Sequence, residues 1–187
     1  MAKYLNIDKE NNIVYDKEEK VHKKKDLLIK FNEYMEQAGF NVNWIETKSS
    51  PYEVTITKGD KEYKLVLYLK NITGAGWADK PHIKRVQVSN VRKQDNSKYI
   101  DTNGKQTILI IGYYNFDNNP IIVAWNAYHY VYHETMRSCY VNIDNLKDGY
   151  TNGLVEEECA EHKIWVIKPE RFEEFLNSYI RENTIEG

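Results

Sequence analysis

The chain has 187 residues, of which 41% are hydrophobic, 13% aromatic and 29% charged. This length suits one globular domain, and the aromatic content excludes a disordered chain. No apolar stretch approaches the roughly 18 residues of a membrane span, and the first residues lack the apolar core of a signal peptide. Two cysteines without a CxxC pair predict a reduced protein in the cytoplasm.

The net charge of −2 conceals an uneven distribution of charge along the chain. Residues 1–100 carry 19 Lys and Arg against 14 Asp and Glu, whereas residues 101–187 carry 7 against 14. Between residues 58 and 105 the balance is +6, from 11 basic and 5 acidic residues. Such a basic segment is typical of a surface that binds nucleic acid, although a solvated lysine-rich face gives the same pattern.

The start of the chain is polar and rich in lysine. We therefore expect a flexible N-terminal arm over residues 1–24, followed by a single domain over residues 25–187. The first predicted element is a helix over residues 26–38, because its apolar residues recur at helical spacing. Gly39 follows this helix, as is typical of a helix end.

Alternating apolar and polar residues then predict a series of strands. The first three lie at residues 40–44, 52–56 and 63–69, and Gly59-Asp60 joins the last two into a hairpin. A glycine-containing loop at residues 71–81 precedes a further strand at 83–89.

In the second half, the turn-forming residues 115–119 join two apolar strands at 107–114 and 120–126. A single helical turn at 144–149 is expected to end at Gly149, and Pro169 to begin a last helix. The remaining strands are predicted at residues 128–133, 138–143, 154–158 and 163–168. These elements predict an α+β fold in which a strongly bent mixed or antiparallel sheet, or an open pseudo-barrel, is flanked by two helices.

Motifs for catalysis and metal binding are weak. His129 and His133 are four residues apart, but no cysteine or carboxylate pair completes a zinc-binding set. Glu62-x-Lys64 resembles half of a nuclease signature, yet 18 Glu and 21 Lys produce about two such triplets by chance. We therefore expect no metal and no cofactor, with Mg²⁺ needed only if the chain is an endonuclease with an unrecognised site.

The basic and aromatic middle of the chain is the main candidate for a binding site. Lysine and arginine neutralise phosphates, and arginine and glutamine can read base edges. A tryptophan in a glycine loop can stack on a base, although Trp77 could equally cover the core. The candidate DNA-binding residues of this segment are Lys70, Asn71, Trp77, Lys80, His82, Lys84, Arg85, Gln87, Arg92 and Lys93.

The same segment resembles a known family. The sequences YLKNIT (68–73) and HIKRVQV (82–88), separated by the glycine loop, resemble a pattern in bacterial restriction proteins in which "KNI", a glycine-rich loop and an "R-apolar-Q" strand follow one another. The likeness continues through 108–143, Gly153-Leu154 and WVIKPERFEEFL (165–176). Over residues 55–180 the chain is similar to modules that stand N-terminal to HNH-type and other nuclease domains in restriction and methylation-associated defence systems.

The resemblance implies a DNA-recognition module rather than the nuclease itself. It adds His129 and Arg137, from the segments AWNAYHY and TMRSCYV, to the candidate residues. The implied partners are double-stranded DNA, methylated or not, and a nuclease domain or subunit, because no HNH-like run follows Phe175. Two alternatives stay open: a Mg²⁺-dependent restriction endonuclease, and a protein-binding or small-ligand module without nucleic-acid function.

Overall fold

The computed structural model describes residues 4–89, 106–130 and 136–184. Short 3-10 turns lie at Ala127–His129 and Pro169–Arg171. The other elements, in chain order, are β1 (Tyr4–Ile7), β2 (Ile13–Asp16), α1 (Lys24–Gln37), β3 (Asn41–Glu46), β4 (Tyr52–Lys58), β5 (Lys61–Asn71), β6 (Thr73–Gly74), β7 (Ile83–Val88), β8 (Thr107–Tyr114), β9 (Ile121–Trp125), β10 (Arg137–Asn142), α2 (Ile143–Asn152), β11 (Leu154–Cys159), β12 (His162–Ile167) and α3 (Phe172–Asn183).

A seven-stranded sheet forms the centre of the fold, with the strand order β11-β12-β9-β8-β5-β4-β3. Its strands pair antiparallel except β5 and β8, which are parallel. The predicted α+β fold with a mixed sheet is thus confirmed, and the sheet is not closed into a barrel. The described residues contain three α-helices, one more than the sequence predicted.

The additional helix is α2, which we expected to be a single turn ending at Gly149. Instead Gly149 lies inside the helix and packs on Val166, and the helix ends at Gly153, which has a φ of 82°. The helix begins with a capping box, in which the side chains of Asn142 and Asn145 each bond the other's backbone N–H. At the other end the Gly153 N–H donates to the Gly149 carbonyl at 2.8 Å, so the helix continues past Gly149 and ends at Gly153.

The central sheet is covered on both faces. Helices α1 and α3 cover one face, where Phe31 of α1 packs on Trp44 and Phe175 of α3 packs on Trp165. On the other face, Trp125 donates its indole N–H to the carbonyl oxygen of Tyr140 at 2.9 Å. A second, three-stranded sheet, with the order β10-β7-β6, and helix α2 therefore lie on that face.

The segment predicted as a flexible arm contains the antiparallel hairpin β1–β2. Asn6 and Ile7 of this hairpin are fully buried. The Ile7 N–H donates to the Tyr114 hydroxyl at 3.1 Å, and that hydroxyl donates to Asn6 Oδ1 at 2.6 Å. The described part of the arm, from Tyr4 onward, thus packs against the end of β8.

The predicted strand at 128–133 is wrong over its described residues, 128–130. The Asn126 side chain accepts a hydrogen bond from the Tyr128 N–H at 3.1 Å and so caps a 3-10 turn. Asparagine favours such local bonds over a strand ladder. His133, the second histidine of the proposed metal pair, lies outside the described residues. Among the helices described, the longest has 14 residues, and none is long and apolar enough to cross a membrane.

Candidate nucleic-acid interface

The basic segment forms part of the three-stranded sheet, whose two faces differ. Because strand residues alternate, Lys84, Val86 and Val88 of β7 point inward and are buried. The residues between them point outward, together with their cross-strand partners on β6 and β10. We call this outward side the platform face; it consists of Thr73, Ile83, Arg85, Gln87, Ser138, Tyr140 and Asn142.

An aromatic pair lies on the platform face. The Trp77 ring stacks on the Tyr140 ring, with 5.4 Å between the centroids and 28° between the planes. The ammonium group of Lys80 lies over the Trp77 ring, 5.5 Å from its centroid. Trp77 keeps 41% of its surface exposed, so it covers Tyr140 rather than the core. The loop from residue 75 to 82 therefore presents an indole flanked by a ring and a cation.

The arginine and glutamine of β7 lie beside this pair. Arg85 is the register partner of Tyr140 on one side and of Thr73 on the other. Its guanidinium donates to Ser138 Oγ at 3.4 Å, and the residue is half-buried. Gln87, two residues farther along β7, is exposed. The platform face thus joins a half-buried guanidinium, an exposed amide and a stacked indole.

The loop that holds Trp77 is anchored at both ends. The Ala75 N–H donates to the Ile83 carbonyl at 3.1 Å, and the Lys80 N–H donates to the Trp77 carbonyl at 3.1 Å. Gly76 has a φ of 80°, a conformation that only glycine adopts without strain. A cavity of about 30 Å³ under the loop has room for one water molecule. These backbone bonds define the course of the loop that carries the indole.

Lys84 does not reach the platform face. It is 1% exposed, and its ammonium lies 2.7 Å from Oε2 of Glu19, which is equally buried. Burial lowers the pKa of Lys84, and the charge of Glu19 and its hydrogen bond act in the opposite direction. Since a phosphate could reach this lysine only if the ion pair opened, we leave Lys84 out of the interface.

Asn71 and Lys70 also lie elsewhere, on β5 of the central sheet. The Asn71 amide accepts from the His22 N–H at 3.0 Å and donates to the His22 carbonyl at 2.9 Å. Both of its polar groups are thereby used within the fold. Lys70 is half-buried beside Gly112 of β8.

The last candidates are dispersed. His82 precedes β7, and its carbonyl accepts from the Ile143 N–H at 2.8 Å. Arg137 begins β10 opposite Val88 and is exposed. His129 is exposed in the 3-10 turn after β9, where its ring contacts Asn126. Two further candidates, Arg92 and Lys93, lie outside the described residues.

Sequence reasoning missed two residues that matter here, Tyr140 and Glu19. Tyr140 stands between the buried Cys139 and Val141, so alternation alone places it on the outward side of its strand. Its contact with Trp77 depends on the pairing of β10 with β7, which no local pattern reveals. Glu19 lies 65 residues before its partner Lys84 in the sequence, within the supposed arm.

The titratable groups of the described residues bear on metal binding and on nucleophilic catalysis. Within residues 4–89, 106–130 and 136–184, no group of three or more His, Cys, Asp or Glu is placed to hold a metal ion. Burial raises the pKa of the Cys139 thiol to about 12, and a thiol with such a pKa is a poor nucleophile. A polar cavity of about 210 Å³ lies between α1 and the β8–β9 turn and is lined by Tyr113 and Asn115, among others.

Comparisons with known proteins place the chain in a family. No curated protein and no solved structure matches the chain. The profile of one family, described as methylase-associated X1, matches residues 63–176. The match runs from β5 to α3 and includes β7, β10 and the loop that carries Trp77. Because it covers more than half of the sequence, this chain belongs to the methylase-associated X1 family.

Proposed function

We propose that the chain is a double-stranded DNA-binding specificity module of a bacterial, methylase-associated restriction system, and that the platform face is its DNA-binding surface. The family supports the association with methylases. The observation that carries the DNA-binding part is the group formed by Lys80, Trp77, Tyr140 and Arg85 on one sheet face. Recognition would depend on DNA sequence or on base modification, and cleavage would belong to a nuclease domain or subunit.

The residues of the platform face have distinct roles in this proposal. Lys80 neutralises a phosphate, because its ammonium is exposed and its stem is flexible. Arg85 and Gln87 point to the same side of β7 and can meet base edges in a groove, where arginine pairs best with guanine and glutamine with adenine. Phosphate contacts supply much of the affinity, so binding weakens as salt is added.

The proposal is tested by fluorescence anisotropy with a short labelled duplex, unmethylated or methylated at adenine or cytosine. Titrations at about 50 and 200 mM salt give the slope of the logarithm of affinity against the logarithm of salt concentration. This slope becomes steeper by about 0.9 for each phosphate contact. We expect Lys80→Gln to weaken binding to all duplexes alike and to reduce this slope by about one. Arg85→Gln is expected to cost about 10-fold in affinity for a preferred duplex and to reduce its preference over others.

Two variants serve as controls. Lys61→Gln removes the same charge at the start of β5, ten residues before its end at Asn71, or about 30 Å along the strand. It should leave the affinity nearly unchanged. Asp79→Asn removes an exposed carboxylate from the Trp77 loop and should strengthen binding at low salt. Absence of binding to every duplex at low salt would defeat the proposal.

The same samples test the alternatives. Plasmid cleavage that requires Mg²⁺ and is lost on Glu62→Ala would make the chain an endonuclease. If the chain binds no DNA but binds a partner protein through the platform face, it is a protein-interaction module. Either result would replace the present proposal.

A further inference from the structure

We infer that Trp77 is the stacking platform for an unpaired base of the bound DNA, with Tyr140 supporting the indole from behind. This inference rests on the proposed function and adds the nature of the recognised group. The ligand would be a base with a free ring face. Such a base is flipped out of the duplex, bulged, or without a pairing partner on the other strand. During binding, Lys80 would leave the indole and contact the adjacent phosphate.

The first support is the position of the indole. Of the four tryptophans, Trp125 and Trp165 are buried and Trp44 is half-buried against Phe31. Trp77 alone among them is exposed, at 41%. An aromatic ring held at the surface beside arginine and lysine matches what proteins use to stack bases of unpaired nucleic acid.

The second support concerns which contact a base can replace. The Tyr140 backbone is held in its strand, because its carbonyl accepts from the Trp125 indole at 2.9 Å and the residue pairs with Arg85, and its ring stacks on Trp77 from this position. Lys80, in contrast, is an exposed side chain on a flexible stem, and its contact with an exposed ring is weak. A base therefore displaces the ammonium more easily than it separates the two rings.

The third support is that the displaced ammonium gains a better partner. In the free protein the Lys80 ammonium lies 5.5 Å from the centroid of the Trp77 ring, and no ion pair with another described residue involves it. A base stacked on the indole brings its own phosphate groups to the same loop. The exchange of a cation–π contact for a phosphate contact then favours binding of the base.

A duplex that is fully paired offers no such base, since each ring face is covered by its neighbours. The test compares two DNAs of the same sequence, one fully paired and one with a single bulged base, by anisotropy with the full chain. We expect the bulged DNA to bind about 10-fold more tightly, the size typical of one stacked base. Binding of the bulged DNA should also quench the exposed tryptophan fluorescence, and Trp77→Phe should lack this quenching.

Variants separate stacking from loss of structure. Trp77→Ala should abolish the preference for the bulged DNA, because it weakens binding of the bulged DNA more than binding of the paired duplex, whereas Trp77→Phe should keep most of the preference. Tyr140→Ala should reduce the preference through loss of support for the indole. Thermal melting of each variant verifies that it is folded.

The inference is overturned if the wild-type chain binds both DNAs equally, or if Trp77→Ala weakens both to the same extent. In both of these cases the proposed function survives, because DNA is still bound. If neither DNA binds at low salt, the proposed function fails and the inference fails with it.

Discussion

Lys84 and Glu19 form a buried ion pair that joins the N-terminal segment to the three-stranded sheet. Their Nζ and Oε2 atoms are 2.7 Å apart. The other carboxylate oxygen of Glu19 accepts from the Gly74 N–H at 2.6 Å, and the Lys84 ammonium also faces the Tyr114 ring. The charge of each partner is therefore satisfied inside the protein by the other.

Removing one partner of this pair is expected to be costly. Glu19→Gln keeps the shape of the side chain but leaves the Lys84 charge buried without a counter-charge. We expect the free energy of unfolding to fall by about 3–5 kcal/mol, measured by urea denaturation. The variant Glu33→Gln is a matched control, because the Lys30–Glu33 pair on α1 is exposed and should contribute less than about 1 kcal/mol.

A second variant separates the charge from the packing. The double variant Glu19→Gln, Lys84→Met removes both charges, so much of the lost stability should return. If Glu19→Gln is as stable as the wild-type protein, the pair is open in solution. In that case Lys84 would be available to the interface after all.

Elements that are determined by residues close together in the sequence could be predicted, whereas contacts between residues far apart in the sequence could not. The helix α1 and the β4–β5 hairpin were predicted closely, because the apolar spacing lies within these elements and Gly39 and Gly59-Asp60 lie directly beside them. The pairing of β7 with β10 joins residues about fifty positions apart and depends on packing over the central sheet. The Trp77–Tyr140 stack follows from that pairing, so the sequence predicted only one of its two rings.

Lys84 is the opposite case. The alternation of β7 predicts that it is buried, but the general preference of lysine for the surface predicts that it is exposed. Lysine is rarely buried, so a lysine in a basic strand is expected at the surface. Its alternation with Val86 and Val88 already placed it on the apolar face of β7. The buried position becomes stable only with Glu19, and no pattern connects residues so far apart.

Asn71 is expected to matter for stability and not for DNA binding. Its amide bonds both backbone groups of His22, at 3.0 and 2.9 Å. Asn71→Ala leaves these groups without a partner and should cost about 2–3 kcal/mol of unfolding free energy. Both lost hydrogen bonds lie within the fold, so the DNA affinity of the folded variant should match the wild-type value.

A loss of DNA affinity in Asn71→Ala, measured at a temperature at which the variant is folded, would contradict this assignment. It would return Asn71 to the interface that the sequence first indicated.

Gly149 is expected to resist substitution although it lies in a helix. Alanine in a helix is usually about 1 kcal/mol more favourable than glycine. Here, however, a Cβ atom would stand 2.2 Å from Val166 Cγ1 and 2.7 Å from Val166 Cβ. We expect Gly149→Ala to lower stability by about 1–3 kcal/mol through overpacking, measured by denaturation. The double variant Gly149→Ala, Val166→Ala should lose less than the two single variants together, because the second change makes room for the added methyl group.

His22 is expected to make stability depend on pH. Burial lowers the pKa of its imidazole, Lys20 and Lys30 lower it further, and Asp26 and Glu33 partly oppose them. Its ring packs edge-on against Tyr113, and its Nε2 lies 3.1 Å from Nδ2 of Asn115. Because the folded protein holds this proton less well than the unfolded chain, stability is complete above a pH of about 6.5 and is lost as the pH falls through the lowered pKa. Denaturation from about pH 5 to pH 7.5 should show this slope in the wild-type protein and a smaller one in His22→Gln. Equal slopes in the two proteins would show that the imidazole titrates as it does in the unfolded chain.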